Sequence, residues 1–233
     1  MAKIKETSKV QSEENQISFA VVEAYKTIRT NLMFINSQTE NKCVTISSAV
    51  QTEGKSTTSV NVAIAFSQLG SKVLLIDADL RKPSVHKKLR ISNKVGLSTV
   101  LGGFCELDEA IVSVNDSLHV LPSGAIPPNP SEMLSSNKMN ELVKAVSEKY
   151  DFVFFDTPPL TVVSDALVVA PKTSGIVLVV RDAVTTYDEF EKALAAIELA
   201  NVRLLGAVLN GSGEDVGKKY NKYYRKYSLD NNE

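Results

Sequence analysis

Cysteine and histidine are scarce in the 233-residue sequence, with two of each, and tryptophan is absent. The cysteines, Cys43 and Cys105, are too few for a disulfide framework, and neither has a Cys or His partner at metal-ligand spacing. We therefore predict two buried thiols in a reducing compartment. The histidines, His86 and His119, lie in no nucleophile-elbow sequence, which argues against a Ser/His/Asp hydrolase and favours structural or surface roles.

An excess of charge of one sign is also missing. The 26 Lys and Arg residues face 27 Asp and Glu residues, so the overall balance does not indicate a nucleic-acid or membrane-surface protein. The N-terminus lacks the apolar core of a signal peptide, and no run of about 18 apolar residues occurs. With 43% hydrophobic and 23% charged residues, the sequence is typical of a globular, cytoplasmic protein that does not span the membrane by itself.

The distribution of apolar residues divides the chain into three parts. Residues 1–17 are polar and predict a mobile arm, residues 18–210 a single domain, and residues 211–233 a flexible tail without apolar periodicity. The domain is predicted to open with a helix from Ser18, because apolar residues recur at steps of three and four. Its apolar face consists of Val22, Tyr25, Ile28, Leu32 and Ile35.

Short β-rich runs separated by helix-like segments follow this helix. Four of them, VLLID, FVFFD, IVLVV and LLGAVL, are continuously apolar, which is typical of strands covered on both faces. Strands that alternate with helices favour an α/β fold with a mainly parallel sheet and helices on both faces. The predicted strands cover residues 43–47, 72–77, 118–121, 152–156, 175–180 and 204–209.

A phosphate-binding loop is indicated where the first strand runs into SSAVQTEGKSTTSVNVAIAF. At such a junction, the N–H groups of the loop and of the helix N-terminus can surround phosphate oxygens. Lys55 can reach the β- and γ-phosphates, Ser56 can ligate Mg²⁺, and Gly54 lets the backbone approach closely. The strict pattern GxxxxGK[ST] requires glycine where the chain has Ala49, so a Gly-Lys-Ser triplet that merely opens a helix remains an alternative.

Three acidic residues are predicted to lie near this loop. Asp77 and Asp79 end the run KVLLIDAD, and Asp156 ends FVFFD. Ligands of open α/β sheets collect beyond the carboxyl ends of the strands, so these carboxylates can serve a Mg²⁺–nucleotide site. A single aspartate at a strand end is more often a helix cap or a turn former. Together with Lys55 and Ser56, the set favours ATP-dependent phosphoryl transfer.

A cluster of tyrosines interleaved with basic residues lies near the C-terminus. The segment has no core-facing pattern, so packing does not explain its tyrosines. Three interpretations remain open: a solvated basic helix, an aromatic and basic contact for nucleic acid, and a set of phosphoacceptor hydroxyls. The cluster contains four of the seven tyrosines of the chain, namely Tyr220, Tyr223, Tyr224 and Tyr227.

These motifs together resemble the bacterial tyrosine kinases (BY-kinases) of capsular and exopolysaccharide synthesis, in the form whose cytoplasmic kinase is separate from its membrane activator. The resemblance covers about residues 18–228. It rests on SAVQTEGKST, on LLIDADLRKP (the Walker A′ motif of that family), on FVFFDTPP, on PPNPSEML and on the tyrosine cluster. It implies a P-loop NTPase-type fold, the cofactors ATP and Mg²⁺, and an ATP-dependent protein-tyrosine kinase activity. No HRD or DFG motif of the protein-kinase type occurs in the sequence.

The resemblance implies a role for each matching residue. Lys55 would polarise the phosphates, Asp77 would activate the attacking tyrosine hydroxyl, and Asp79 would act with them in catalysis. The metal would be held by Ser56, Asp77, Asp79 and Asp156. The predicted nucleotide-binding residues are Thr52, Glu53, Gly54, Lys55, Ser56 and Thr57. Asn210 is added on position alone as an adenine contact, which a turn-forming role would explain equally well.

An oligomerisation motif of the family, ExxRxxR, is matched in the first helix by Glu23, Lys26 and Arg29, with Lys in place of the middle Arg. Lys cannot make the bidentate fork of Arg, and a solvated helix face with incidental pairs remains an alternative. The family implies a ring in which each tail is phosphorylated in trans. Because the segment 218–227 carries five basic residues, we expect phosphorylation of two or three tyrosines to cancel or reverse its charge and to release the tail from an acidic catalytic pocket.

The resemblance also implies partners. These are the cytoplasmic tail of a polysaccharide co-polymerase that recruits the kinase to the inner face of the cell membrane, a cognate tyrosine phosphatase, and nucleotide-sugar enzymes as substrates, but no nucleic acid. One alternative is a partitioning or site-placement ATPase without kinase activity. Such proteins usually carry an extra Lys in a KGGxGK loop, where this chain has Val50. Another alternative is a nucleic-acid-binding module that uses the basic aromatic tail.

Overall fold

The computed structural model describes residues 19–35, 37, 39 and 41–212. The predicted arm 1–17 and all but the first two residues of the predicted tail 211–233 lie outside this range. The described residues form one seven-stranded sheet. Its strands are β1 (Cys43–Ser48), β2 (Val73–Asp77), β3 (Val112–Ser113), β4 (Leu118–Leu121), β5 (Phe152–Asp156), β6 (Ile176–Arg181) and β7 (Leu204–Asn210).

The strands lie side by side in the order β3-β4-β2-β5-β1-β6-β7, and every pair is parallel except β3 with β4. The six predicted strands are confirmed, with ends that agree within one residue. Only β3 was missed, because its two residues are too short to give a periodic signal. In the middle of the sheet, β1 and β2 are buried along their whole length, and their carboxyl ends meet that of β5 at one edge.

Strand β7 corrects one expectation. Its run LLGAVL predicted a strand covered on both faces, but Leu204 and Leu209 are 39% and 58% exposed and only Leu205 is buried. The physical reason is its place in the sheet. Among the described residues β7 pairs with β6 alone, so it is an edge strand that its neighbours cover incompletely.

Helices lie on both faces of the sheet, as predicted. On one face, Val62 and Phe66 of a helix after β1 pack with Val44 and Phe154. On the other face, a helix before β5 contributes a second core cluster with Leu74 and Phe155. The helices are α1 (19–35), α2 (Lys55–Ser67), α3 (Val85–Leu89), α4 (Leu97–Leu101), α5 (Leu107–Ala110), α6 (Pro130–Ser135), α7 (Asn137–Lys149), α8 (Asp165–Val169) and α9 (Tyr187–Leu199).

The first helix, α1, forms where the sequence predicted it. Leu32 is buried in the cluster that contains Phe66, and Tyr25, Ile28 and Ile35 pack against the same cluster. Val22 was predicted to share this face, but its side chain is 42% exposed. The contact of α1 with the core therefore begins one turn later than the apolar pattern indicated.

The two cysteines differ. Cys43 is buried in β1, and burial raises the pKa of its thiol to about 12. Cys105 is only partly buried in the loop after α4, where its sulfur lies 3.5 Å from Thr99 Oγ1, so the prediction of two buried thiols was correct for one. His119 Nδ1 lies 2.9 Å from the hydroxyl of the buried Tyr150, which confirms a structural role. In the described part of the chain, no helix has the length and apolarity needed to cross a membrane.

Candidate active site

The phosphate loop connects β1 to α2, and its last residue before the helix is Gly54. Gly54 adopts a left-handed conformation with φ of 90°, which favours glycine. A Cβ atom at this position would lie 2.1 Å from Asn210 Nδ2, so any side chain would displace Asn210. The glycine is therefore required both by the backbone and by the close approach of β7.

The loop is strained at Thr52. This β-branched residue has φ of 65°, a conformation that costs on the order of 1–3 kcal/mol and persists only where surrounding contacts enforce it. Arg181 at the end of β6 supplies one such contact, since its Nη1 donates to the carbonyl oxygen of Thr52 at 3.0 Å.

The Glu53 side chain stabilises the same loop from the protein interior. Its carboxylate is fully buried and accepts hydrogen bonds from the Val50 N–H at 2.8 Å and from the hydroxyl of Thr185. Asn210 Nδ2 donates to the carbonyl oxygen of Glu53 at 2.9 Å. The Glu53 side chain thus supports the loop, whereas Thr52, Gly54, Lys55, Ser56, Thr57 and Asn210 line the adjacent cleft.

This cleft has a volume of about 590 Å³ and lies at the carboxyl edge of the sheet. Its apolar wall is formed by Pro158, Pro159, Val162 and Val163. Basic side chains outnumber acidic ones in its lining, so the expectation of an acidic catalytic pocket was wrong. The physical reason is that Asp77 and Asp156 are buried beneath the cleft, leaving one carboxylate among five cations. The charged lining residues are Asp79, Lys55, Arg81, Lys82, Lys88 and Arg181.

Lys55 connects the phosphate loop to the carboxylates. Its Nζ lies 2.8 Å from Asp79 Oδ2, 3.8 Å from Asp156 Oδ2 and 3.2 Å from the Ser56 hydroxyl. Burial by itself would lower the pKa of Lys55, but the negative charges of Asp156 and Asp79 outweigh it and raise the pKa above its ordinary value. Lys55 is therefore a protonated amine at neutral pH, held where a phosphate can replace its carboxylate partner.

Asp77 and Asp156 lie opposite each other on the paired strands β2 and β5 and are both fully buried. Asp77 Oδ2 accepts from the N–H groups of Ser84 and Val85, each at 3.1 Å. Burial, reinforced by the charge of Asp156, raises the pKa of Asp77 to about 8. Burial likewise raises the pKa of Asp156.

The carboxylates leave acceptors for a hydrated cation. Neither Asp77 Oδ1 nor Asp156 Oδ2 has a hydrogen-bond partner among the described residues, although both atoms are buried. Asp79 Oδ1 accepts from the Lys82 N–H at 2.9 Å. Within the described ranges, no three His, Cys, Asp or Glu side chains converge closely enough to hold an ion by themselves. The donor set therefore fits Mg²⁺ bound through hydroxyl, phosphate and water oxygens, as Mg²⁺ prefers.

The sequence reasoning did not single out the basic lining of the cleft. Arg81 follows Asp79 in the LRKP segment, and its guanidinium binds the buried carboxylate of Asp165 with Nε at 2.8 Å and Nη2 at 3.1 Å. The same guanidinium donates to Ser131 Oγ in α6, so the motif PPNPSEML reaches the cleft through Arg81. Lys88 Nζ donates to Thr57 Oγ1 at 2.8 Å. The only indication of Arg81 and Lys88 in the sequence was that they follow the aspartate motif LLIDAD closely.

The predicted oligomerisation residues make contacts within α1 and with α2. Lys26 Nζ lies 2.6 Å from Glu23 Oε1, and Arg29 Nη1 donates to the carbonyl oxygen of Ala65 at 2.7 Å. Arg29 therefore anchors α1 to α2 in the single chain. The four predicted phosphoacceptor tyrosines lie outside the described residues.

The parallel sheet, the loop at the head of α2 and the strand-end carboxylates define a P-loop nucleotide-binding domain of the α/β class. Residues 41–185 match the family model of the AAA domain. Tyrosine-protein kinase YwqD of Bacillus subtilis is 45% identical over 202 residues, which cover 86% of this chain and 85% of that protein. The chain belongs to the family of bacterial tyrosine-protein kinases.

Solved structures agree with this assignment. The kinase domain of the Escherichia coli tyrosine kinase ETK superposes with a TM-score of 0.79 at 39% identity, covering 82% of this chain and 75% of that one. The septum site-determining protein MinD of Pyrococcus horikoshii, solved with Mg-ADP, is more distant, with a TM-score of 0.62 at 25% identity over 74% of this chain and 72% of that one. The alternative of a site-placement ATPase is thus less supported than a tyrosine kinase.

Proposed function

We propose that the protein transfers the γ-phosphate of ATP to the tyrosine cluster of a neighbouring copy and thereby regulates the synthesis and export of capsular or extracellular polysaccharide. One observation carries the catalytic part of this proposal: Lys55 lies at the head of α2, protonated, between the phosphate loop and the carboxylates of Asp79 and Asp156. The acceptor residues would be Tyr220, Tyr223, Tyr224 and Tyr227.

Nucleotide binding would exchange one set of partners for another. The N–H groups at the start of α2 and the Lys55 ammonium would take the phosphate oxygens, and Lys55 would leave Asp79. Glu53 would act indirectly, by holding the loop open for the phosphates. Asn210 would contact the nucleoside, and its position at the border of the loop and the cleft supports this role.

Mg²⁺ would be held by the Ser56 hydroxyl, with Asp77, Asp79 and Asp156 acting through bound water. When bound, the ion supplies charge neutralisation at the phosphates. The Lys82 and Lys88 side chains at the same cleft would add fixed positive charge around the transferring group.

Asp77 is the proposed acceptor of the hydroxyl proton. The tyrosine oxygen would form its bond to the γ-phosphorus, the bond to the bridging oxygen would break, and ADP would leave. The hydroxyl proton would pass through a water to Asp77 Oδ1, which lies beneath the cleft. That atom is without a hydrogen-bond partner among the described residues. Burial raises the pKa of Asp77 to about 8, so the ionised form that can accept the proton would increase as pH rises towards 8.

Transfer between copies fits the length of the tail. The 17 residues from Gly211 to Tyr227 span roughly 55–60 Å when extended, enough to reach a neighbouring active site. We propose a homo-oligomeric ring that uses Glu23, Lys26 and Arg29. Its further partners would be the cytoplasmic tail of a polysaccharide co-polymerase that recruits the kinase to the membrane, a cognate phosphatase and nucleotide-sugar enzymes as substrates.

Mass spectrometry after incubation with Mg²⁺-ATP tests the proposal, with the activating membrane fragment added in a parallel sample. Phosphate confined to the terminal tyrosines, and absent in Lys55→Met, is expected. ATP hydrolysis without any gain of mass on tyrosine, even with the activator, would instead support an ATPase switch.

A mixing experiment tests transfer in trans. Lys55→Met chains, distinguished by an isotope label, are incubated with wild-type chains and ATP. Phosphate on the labelled chains is expected. If only wild-type chains gain phosphate, transfer occurs within one chain.

A further inference from the structure

A second depression lies beside the nucleotide cleft and shares three lining residues with it: Arg81, Lys82 and Ser84. We call it the basic groove. It has a volume of about 630 Å³ and continues along α3 to the loop that contains Gly124 and Ile126. An acceptor chain whose tyrosine reaches the nucleotide cleft would therefore have its neighbouring residues within reach of the basic groove.

The groove carries positive charge and no carboxylate among its lining residues. Arg81 already forms an ion pair with Asp165. Lys82 and Lys87, in contrast, take part in none of the ion pairs found among the described residues. His86 also lines the groove, and its buried Nδ1 has no partner within the described chain. The two lysines favour an anion, whereas burial and the charge of Lys87 lower the pKa of His86, which is therefore neutral at pH 7.

An apolar rim adjoins these charges. Ile126 is 65% exposed, and Ala125 and Pro83 line the groove with it. A flat apolar ring that carries a dianionic group would satisfy both the rim and the lysines. Phosphotyrosine has this chemistry.

The terminal cluster can supply such a group at a suitable distance. Its tyrosines are separated by steps of three, one and three residues. A step of three residues spans roughly 10 Å in an extended chain, and the two depressions adjoin at the lining residues that they share. The unmodified segment 218–227 carries five basic residues and would be repelled by the groove. One phosphate adds about −1.5 to −2 charge, so a singly phosphorylated segment stays net positive but is repelled less, and its phosphate offers the lysines a local anionic partner.

We propose that the basic groove binds a phosphotyrosine of the terminal cluster of a second copy, so that the first phosphorylation of a tail promotes the next. This inference rests on the proposed function of the neighbouring cleft. It opposes the expectation that phosphorylation alone releases the tail, because a basic groove holds the modified tail more strongly than the unmodified one.

Peptides of residues 216–229 test the groove in full-length protein whose four cluster tyrosines are replaced by Phe, so that only the peptide accepts phosphate. One peptide is unmodified, and two others carry phosphate on Tyr220 or on Tyr227. We expect at least one phosphorylated peptide to show a kcat/KM about tenfold above that of the unmodified peptide, with the advantage falling as salt rises.

A charge reversal in the groove provides the decisive comparison. Lys87→Glu is expected to abolish the advantage of the phosphorylated peptide, whereas Lys144→Glu, at an exposed lysine of α7, preserves it. Equal kcat/KM values for the modified and unmodified peptides in the parent protein would overturn the proposal that the groove binds phosphotyrosine. So would an advantage that survives Lys87→Glu.

A binding measurement separates failure of the groove from failure of the kinase assignment. Fluorescence anisotropy of labelled peptides on Lys55→Met protein needs no phosphoryl transfer. Tighter binding of a phosphorylated peptide, lost in Lys87→Glu, supports the groove even if no tyrosine is phosphorylated. Equal binding of all peptides removes it even if the kinase is active. Competition by inorganic phosphate as strong as that by phosphotyrosine would show a simple anion site and would also overturn the proposal.

Discussion

On one side of the nucleotide cleft, the phosphate loop is held by Arg181 of β6, by Thr185 of the loop that follows β6, and by Asn210 of β7. On the other side, β2 and β5 end in carboxylates that keep buried oxygens without hydrogen-bond partners in the described part of the chain. The first side, which we call the braced wall, contains the strained residue Thr52 in a loop fixed by hydrogen bonds. The second side, which we call the open wall, keeps carboxylate oxygens and basic side chains that can bind ligands. Rigidity and readiness to bind are thus assigned to opposite walls of one cleft.

Removal of the residue that joins the two walls should have the largest effect. Lys55→Met leaves the carboxylates of Asp79 and Asp156 without their cation and the phosphates without their ammonium. We expect tyrosine phosphorylation to fall by at least about 10³-fold, measured by mass spectrometry at saturating Mg²⁺-ATP. Lys144→Met serves as the control. Retention of more than a tenth of the activity would contradict a direct role in the transfer.

Replacing the buried Asp77 carboxyl of the open wall by an amide should increase the free energy of unfolding. Because the pKa of Asp77 is raised to about 8, the folded state retains a proton that the unfolded chain releases near pH 4. The wild-type protein therefore loses stability as pH rises from 4 to 8, and Asp77→Asn loses less, because only the raised pKa of Asp156 remains. We expect the advantage of Asp77→Asn to grow over this range to roughly 2–5 kcal/mol, measured by urea unfolding without nucleotide. An advantage independent of pH would exclude an Asp77 carboxyl that is protonated when folded.

The braced wall should respond in the opposite sense. Glu53→Ala removes the acceptor of the Val50 N–H and of the Thr185 hydroxyl, so we expect a loss of about 1–3 kcal/mol in the free energy of unfolding. Because the phosphate loop loses the hydrogen bonds that fix it to Val50 and Thr185, ADP affinity should fall by about tenfold as well. Calorimetry with Glu148→Ala as the exposed control checks both effects. Unchanged ADP affinity would leave Glu53 with a purely structural role.

The smallest effect is expected at the rim of the open wall. Arg81→Lys replaces a two-point contact with Asp165 by a single one, since an ammonium cannot reproduce the guanidinium fork. About 1 kcal/mol of stability should be lost at neutral pH. Burial opposes ionisation of Asp165, but hydrogen bonds from Arg81 and Ser131 hold its pKa below the ordinary value. The difference between wild type and variant should therefore shrink as pH falls below 4, and a constant difference would contradict this account.

The sequence predicted the sheet because buried parallel strands are written as continuous apolar runs, as in VLLID of β2 and FVFFD of β5. It also predicted where Lys55, Asp77 and Asp156 would meet, since strand ends converge at one edge. It failed at β7, because the same apolar run occurs in a central strand and in an edge strand, and only the number of neighbouring strands distinguishes them.

The contacts of the site were less accessible to sequence reasoning. Glu53 was predicted to touch the nucleotide because it lies in the loop, yet its carboxylate turns inward to Val50 and Thr185. Thr185 is 132 residues away along the chain, and no local pattern records such a contact. The basic lining was hidden for a related reason: charges at Arg81, Lys82 and Lys88 resemble solvated surface residues until the fold places them around one cleft.

Asn210 is the last residue of β7, and it holds the phosphate loop by its side-chain amide. The chain continues through Gly211, which also borders the nucleotide cleft, towards the tyrosines. The tether of the tail is therefore attached at the lip of its own active site. A pull exerted on the tail by a neighbouring copy would act on Gly211, next to the residue Asn210 that holds the phosphate loop. A subunit whose tail serves as substrate would therefore have its own phosphate loop displaced by that force.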